Sequence, residues 1–388
     1  MGFLLWAMVI LLSMPAAIVA LECLVACLPG FAQKNHFKMP RPSLAVLMPA
    51  HNESAVIAET LASVMPQMAE GDRLLLVADN CSDDTAAIAR ASGAQVLERF
   101  NDALRGKGYA LAFGMDALRE NPPDVLLIID ADCQLQAGAL DLLAGTAARL
   151  DAPVQALYLM LAGNESSVKQ KIAAFAWVVK NHVRALGMFR MGLPCPLMGT
   201  GMAFPWHIIN RMNLATGALV EDMLLGGELV AAGHAPRFCP GACVTSIFPA
   251  SDQDAHTQRR RWEHGHIGMI FNYFPSLLRL VLKRGDFRGI FFVFDMMVPP
   301  LALQSMLMLL GLGISGLAAW SGFALPFQIM LAGSISFGLA LMAAWYRYAR
   351  EVIGIEHVIR IPVYMLSKIS VYVAYLFSRE KNWVKTKR

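Results

Sequence analysis

Hydrophobic and polar positions divide this chain into stretches with different periods. Residues 3–28 are almost continuously apolar, with Glu22 their only charge. That run exceeds the roughly 20 residues that cross a bilayer as a helix. From 43 to about 160, short aliphatic runs alternate with helical stretches. The runs predict strands at 44–48, 74–78, 95–97 and 125–129, and the pattern between them predicts helices at 53–65, 85–91 and 107–118. Strands alternating with helices imply βαβ units and a mostly parallel sheet. Residues 166–189 keep helical apolar spacing and are expected to pack on that sheet or on a membrane. A second apolar block opens near Gly289 and splits at Ser321-Gly322 into 290–320 and 323–345. Asp295 and Pro299-Pro300 make its beginning interfacial or kinked. The stretch 361–377 is apolar but carries Lys368 centrally, which predicts an amphipathic segment lying in the interface. The expectation is three spans plus that segment, with a fourth span as the alternative.

Composition fits a membrane protein. The 388 residues are 56% hydrophobic, and a mean hydropathy of +0.48 is high for an ordinary soluble chain. A cleaved signal peptide is not expected, because residues 1–33 hold no Lys or Arg and the apolar run is too long. Lys34, Lys38 and Arg41 follow that run, so the positive-inside rule puts the N-terminus outside and residue 34 onward in the cytoplasm. Arg347, Arg350 and Arg360 fit the same side, as does the tail with Arg379, Lys381, Lys385, Lys387 and Arg388. The net charge of +4 is modest, and its basic residues sit near membrane junctions, which points to anionic lipid and away from nucleic acid. Most of the seven cysteines fall in the cytoplasmic region, where thiols stay reduced, so no disulfide framework is expected. Neither Cys239 and Cys243 with His234, nor His256, His264 and His266, match a zinc spacing.

Candidate chemistry lies where strands end, since open α/β sheets bind ligands beyond the carboxyl ends of their strands. Pro49-Ala50-His51-Asn52-Glu53 follows the first strand, and Asp79-Asn80-Cys81-Ser82-Asp83-Asp84-Thr85 the second. The run 126–129 ends in Asp130-Ala131-Asp132. Residues i and i+2 of an extended segment point the same way. These two carboxylates can therefore face one site, where they repel unless a cation accompanies them. Mg²⁺ or Mn²⁺ suits such oxygen ligands and is often shared with substrate phosphates. The plainer reading of an Asp-x-Asp is a surface turn. Gly106-Lys107-Gly108 is not a P-loop, and Gly199-Thr200-Gly201 lacks the third glycine of a dinucleotide fingerprint.

In order and spacing, these segments together with Arg105-Gly106-Lys107-Gly108 resemble the GT-A glycosyltransferases of family 2. Val220-Glu221-Asp222 resembles the T-E-D motif. Gln258-Arg259-Arg260-Arg261-Trp262 resembles the Q-x-x-R-W motif of membrane-bound β-glycan synthases such as the cellulose, chitin and hyaluronan synthases. The resemblance covers roughly 43–270. It implies an α/β, Rossmann-like GT-A domain in the cytoplasm with N-terminal and C-terminal transmembrane helices. It also implies a UDP-sugar in the crevice, with Glu53 and Asp79 beside the uridine and Lys107 near the diphosphate. Asp130 would be the nucleotide-side carboxylate and Asp132 the ligand of Mg²⁺ or Mn²⁺. Asp222 would be the general base, with Glu221 beside it, in a single inverting displacement. Gln258 and Trp262 would meet the acceptor, Arg261 would pair with the diphosphate, and Gly199 and Thr200 would line the acceptor side.

The expected organisation is a transmembrane helix at 1–30 and a glycosyltransferase domain at 43–270. An interfacial segment with two transmembrane helices follows at 271–345, then an amphipathic segment and basic tail at 346–388. Two features depart from the family: Val220 stands for the usual Thr, and the membrane portion is small for a polymer channel. The resemblance implies an enzyme of a bacterial-type inner membrane. It would transfer sugar to a glycan or lipid-linked acceptor in exopolysaccharide or capsule-type synthesis, alongside other glycan-assembly or export proteins. A polyisoprenyl-phosphate sugar synthase and an inactive scaffold subunit are the alternatives, and chain elongation versus single transfer stays open.

Overall fold

The computed structural model describes residues 2–29, 41–163, 166–249 and 252–377. Lys34, Lys38 and the basic tail from Arg379 onward lie outside the described residues. The first elements are α1 (Gly2–Cys27), β1 (Leu44–Ala50), α2 (Ile57–Val64), β2 (Arg73–Asp79), α3 (Thr85–Ala91), β3 (Gln95–Arg99), α4 (Lys107–Leu118) and β4 (Val125–Ile128). Then come β5 (Gln134–Leu135), α5 (Ala139–Leu150), β6 (Val154–Leu161) and α6 (Val168–Val178), which runs through a π-helical turn into α7 (Ala185–Arg190). Next are β7 (Met202–Pro205), α8 (Trp206–Ile209), α9 (Glu221–Ala231), β8 (Arg237–Ile247) and α10 (Asp252–Asn272). The last are α11 (Phe274–Arg284), α12 (Phe287–Met296), α13 (Leu301–Trp320), α14 (Ala324–Ala344), α15 (Ile355–Val358) and α16 (Ile361–Phe377).

Two units result. One comprises, among the described residues, 41–163 and 194–265, and holds an α/β sheet in the order β3-β2-β1-β4-β7-β6-β8-β5. β1 pairs in parallel with β2 and β4, and β2 with β3. These are the aliphatic strands the pattern predicts. Every residue of β1 and β4 is buried, as strands covered on both faces require. Ala110, Leu111, Met115 and Leu118 of α4 pack with Leu47, Val77, Leu126 and Phe204 into one core. Each such side chain contributes about 1.5–3 kcal/mol on leaving water.

Beyond β4 the sheet becomes mixed. β7 runs antiparallel to both β4 and β6, while β8 is parallel to β6 and antiparallel to β5. The register matters for the site. Met202 pairs with Ile128 on one side and with Gln155 on the other. The residues just before β7 therefore lie beside those just after β4, which brings Gly199-Thr200 to Asp130.

The other unit comprises Met1–Gly30, Asn164–Leu193 and His266–Glu380. Three of its helices, Gly2–Cys27, Leu301–Trp320 and Ala324–Ala349, are long and apolar enough to cross a membrane by length and composition. The chain breaks between α12 and α13 at Pro299-Pro300, because a proline ring cannot continue a helix through its preceding turn. Within α16, Lys368 is 3% exposed and its Nζ stands 5.8 Å from the Tyr364 ring centroid.

Residues 166–193, inside the expected 43–270 domain, group with the apolar helices. Polar contacts explain why. Arg184 Nε donates to Glu22 Oε2 at 2.6 Å, and its Nη2 donates to the Asp295 carboxylate. Arg190 Nη1 donates to the carbonyls of Val25, Ala26 and Leu28 at the end of α1. A Cβ on Gly187 would stand 2.2 Å from the Glu22 carbonyl oxygen, so only glycine lets α7 approach α1 this closely.

Candidate active site

Backbone geometry assembles the site from the strand ends. Asn52 and Asn80, which follow β1 and β2, adopt left-handed backbone at φ 55° and 51°. Asparagine tolerates this because its short side chain bonds locally. Ser82 N–H donates to Asn52 Oδ1 at 2.7 Å, and Asn101 N–H to Asn80 Oδ1 at 2.8 Å. His51 Nδ1 meets the Asp79 carbonyl at 2.7 Å, and Glu53 N–H donates to Thr85 Oγ1 at 2.8 Å. Asp79 Oδ1 accepts from Arg99 Nη1 at 2.5 Å, and both groups are buried. Asp83 braces the same loops. Burial pushes its carboxyl upward, but hydrogen bonds from Thr85 and Ser54 outweigh that and hold it at about 2.

The Asp130–Asp132 turn is tied at its backbone. Asp130 N–H donates to Thr200 Oγ1 at 3.0 Å, Thr60 Oγ1 donates to the Ala131 carbonyl at 2.8 Å, and Cys133 N–H donates to the Asp130 carbonyl at 3.2 Å. Asp130, Asp132 and Cys133 place carboxylate oxygens and sulfur within 4.8 Å of one another. Burial, then the charge of Asp130, push the Cys133 thiol above its ordinary value. The two carboxylates of this group suit a hard divalent ion.

Lys107 opens α4 between two glycines with different jobs. Gly106 sits at φ 129°, a backbone region closed to side chains, with open space around it. At Gly108 a Cβ would meet the Thr216 and Leu214 carbonyl oxygens at 2.5 and 2.6 Å. Gly108→Ala is thus expected to lower stability by about 1–3 kcal/mol, the usual cost of overpacking. Urea melts check this. Lys107 Nζ reaches Asp130 Oδ1 at 2.5 Å, the Gly199 carbonyl at 2.8 Å and Glu221 Oε1 at 3.6 Å. Burial disfavours its charge, yet Asp130 and Glu221 hold its pKa above the ordinary value.

Glu221 and Asp222 form the first turn of α9. Asp222 Oδ1 accepts from Met223 N–H at 2.9 Å, and Oδ2 lies 3.6 Å from where a Cβ on Gly199 would stand. Burial raises Glu221, Lys107 draws it down, and Asp222 raises it again; the carboxyl rests at about 7 instead of 4.5. Between those values the folded chain keeps a proton that the unfolded chain has released. The contribution of this group to stability is full below about pH 4.5 and is lost as pH rises to 7. Glu221→Gln is expected to flatten that part of the curve, which urea melts from about pH 5 to 8 will read.

Gly265 of α10 packs on Val220, its Cβ position 2.8 Å from Val220 Cγ1. Arg261 lies one turn earlier on the same face. Burial pulls its guanidinium below the ordinary value, while the charges of Glu221 and Asp130 act on it from across the site. Gln258 is buried and Trp262 half-buried on the same helix. Thr200 is fully buried, and its hydroxyl oxygen accepts from the Asp130 N–H.

A family model described as "Glycosyltransferase like family 2" matches residues 40–265, more than half of the chain. The chain belongs to the family 2-like glycosyltransferases. A probable glycosyltransferase of Bacillus subtilis, YdaM, is 26% identical over 271 residues, covering 65% of this chain and 62% of that protein. An uncharacterized glycosyltransferase of Mycobacterium tuberculosis, Rv0539, is 33% identical over 102 residues, covering 26% of this chain and 42% of that protein. The matches thus span less than two thirds of either relative. The solved mannosyltransferase PcManGT from Pyrobaculum calidifontis, in complex with GDP-Man and Mn²⁺, has the same fold. It superposes with a TM-score of 0.55 at 16% identity, covering 97% of this chain and all of that one. The α/β unit of this glycosyltransferase is accordingly a GT-A fold, with the Asp-x-Asp turn at the carboxyl end of β4.

Sequence reasoning did not find Arg99, Thr60 or Gln155. The signal for Gln155 is a single amide inside the apolar run of β6. Arg99 and Thr60 carry no such mark, because their partners Asp79 and Ala131 lie 20 and 71 residues away.

Proposed function

We propose that this protein is an inverting glycosyltransferase that moves a sugar from a UDP-sugar to a hydroxyl of a glycan or lipid-linked acceptor. The observation that carries this reading is the convergence of Lys107, Asp130, Glu221 and Asp222 from three separate motifs. Glu53 and Asp79 accept hydrogen bonds from the nucleoside. Lys107 and Arg261 offset the charge of the diphosphate. Asp132, with Asp130 beside it, would hold Mg²⁺ or Mn²⁺, which when bound supplies Lewis-acid charge at the departing diphosphate. Asp222 takes the proton of the acceptor hydroxyl as that oxygen bonds to the anomeric carbon. The bond from that carbon to the phosphate oxygen breaks, and its electron pair leaves with UDP. Gln258, Trp262 and the Gly199 backbone face the acceptor.

Three long apolar helices support a membrane location. The positive charges after α1 support a cytoplasmic active site, and the small membrane portion supports an acceptor that other proteins export, in exopolysaccharide or capsule-type synthesis.

The test is nucleotide release by detergent-purified protein given a panel of UDP- and GDP-sugars. Mg²⁺ or Mn²⁺ is supplied, with and without membrane lipid extract, beside Asp132→Asn. Metal-dependent UDP release from one donor, lost in Asp132→Asn, is the expected result. Undiminished turnover in Asp132→Asn, or none from any donor, would overturn it. A strict need for lipid extract would assign a lipid acceptor.

A further inference from the structure

The turn that carries Asp130 and Asp132 does not hold itself. Its tie to the loop before β7 runs through Thr200, whose hydroxyl oxygen accepts from the Asp130 N–H at 3.0 Å. Thr200 in turn sits in a loop, 198–200, with little regular pairing of its own. Gly199 and Gly201 take left-handed backbone at φ 89° and 64°. A Cβ on Gly201 would meet Val244 Cγ2 at 2.7 Å, so the loop also runs close against β8. Something must hold a segment of this shape in register.

Beside the Ala156 N–H, which donates to the Gly201 carbonyl at 2.8 Å, one buried side chain does much of this. Gln155 is fully buried on β6. Its Oε1 accepts from Met198 N–H at 2.8 Å, and its Nε2 donates to the Thr200 carbonyl and to the Ala156 carbonyl, both at 2.9 Å. The amide grips the loop on either side of Gly199. The carbonyl of that glycine then receives Lys107 Nζ, and the hydroxyl of the next residue receives Asp130 N–H.

Resting on the metal-dependent reading above, we propose that Gln155 is a positioning residue for the divalent-metal end of the site. It touches no reacting group. It acts through Thr200 on Asp130 and through Gly199 on Lys107.

The chemistry of the amide explains why this residue type stands here. The loop and strand present one donor and two acceptors to the buried position. A carboxamide supplies one acceptor oxygen and two N–H donors, and matches all three. Glutamate would keep the acceptor but lose both donors. Methionine fills the volume and supplies neither. In that case Met198 N–H and the Thr200 carbonyl would be buried without partners, and the loop would rotate to satisfy them. Rotation carries the Thr200 hydroxyl away from Asp130.

The test reads metal binding, not turnover. The full chain in detergent is titrated with Mn²⁺ alone and with UDP, following the paramagnetic resonance of free Mn²⁺. The proteins are wild type, Gln155→Met, Gln155→Glu, Thr200→Val and Thr200→Ser. Leu143→Ala, which opens a cavity under α5, is the stability control. Gln155→Met is expected to raise the Mn²⁺ half-saturation point about 10–100-fold, the range for groups that orient metal ligands. Thr200→Val should match it, Thr200→Ser should shift less, and the double variant Gln155→Met with Thr200→Val should add little. Leu143→Ala should lower the melting temperature without moving the half-saturation point. Should Gln155→Met not fold, Gln155→Glu and the Thr200 pair decide. An unmoved half-saturation point in these variants would overturn the role of Gln155 while leaving the metal reading intact. Wild-type protein that binds no Mn²⁺ would overturn both.

Discussion

Replacing Asp222 with Asn is expected to slow sugar transfer by roughly 10²–10⁴-fold, the range that a positioned general base supplies. A sugar hydroxyl is a weak nucleophile, and the amide cannot take its proton. The substitution keeps the volume, and an Asn Oδ1 can still accept from Met223 N–H as Asp222 Oδ1 does at 2.9 Å. Binding should therefore hold. UDP and Mn²⁺ affinities are expected to stay within about threefold, so the loss falls on kcat and not on ground-state binding. Paired kinetics and UDP titration separate the two. Asp132→Asn should show the reverse pattern, with metal affinity falling first. If Asp222→Asn turned over at the wild-type rate, the base would have to be another group, and Glu221, whose carboxyl rests at about 7, would be next.

Arg184→Leu is expected to cost about 3–5 kcal/mol of stability, the usual effect of removing one partner from a buried ion pair. Its guanidinium serves two carboxylates, Glu22 at 1% and Asp295 at 5% exposure. Without it, two acidic groups face each other among apolar helices. Thermal melts in detergent check the loss. A triple variant, Glu22→Gln with Arg184→Leu and Asp295→Asn, should recover most of it, because no unpaired charge remains. Failure of the triple variant to recover would mean that the ion pairs hold this unit by geometry and not only by charge balance.

β1, β2 and β4 are legible in the sequence because they are aliphatic on both faces and each ends in a polar cluster. The 85–91 and 107–118 helices carry the same clarity, and α3 and α4 begin and end at those residues. The second half of the sheet is not legible in the same way. β8 contains Pro240 and Gly241, and its pairing with β6 jumps from Ala156–Cys239 to Leu157–Cys243. A bulged strand breaks the period that pattern reading depends on. The site divides along the same line. Glu53, Asp79 and Asp130 stand in motifs at the ends of β1, β2 and β4, and Lys107 opens α4. Of the groups that hold them, Gln155 shows as one amide in an apolar run and Thr200 as the centre of Gly199-Thr200-Gly201, while Thr60 and Arg99 carry no local mark. For 166–193, whose spacing fits packing on the sheet or on a membrane, the partners of Arg184 and Arg190 on α1 and α12 lie 111 to 165 residues away.

Asp130 N–H finds Thr200 across 70 residues of sequence. A ribosome adding roughly 5–20 residues per second needs about 4–14 s to make that stretch. For those seconds β1, β2 and β3 are already available to pair, while the acidic turn has been translated without its tie. The nucleoside side of the crevice can thus assemble first, and the acidic turn is secured only once β7 has left the exit tunnel.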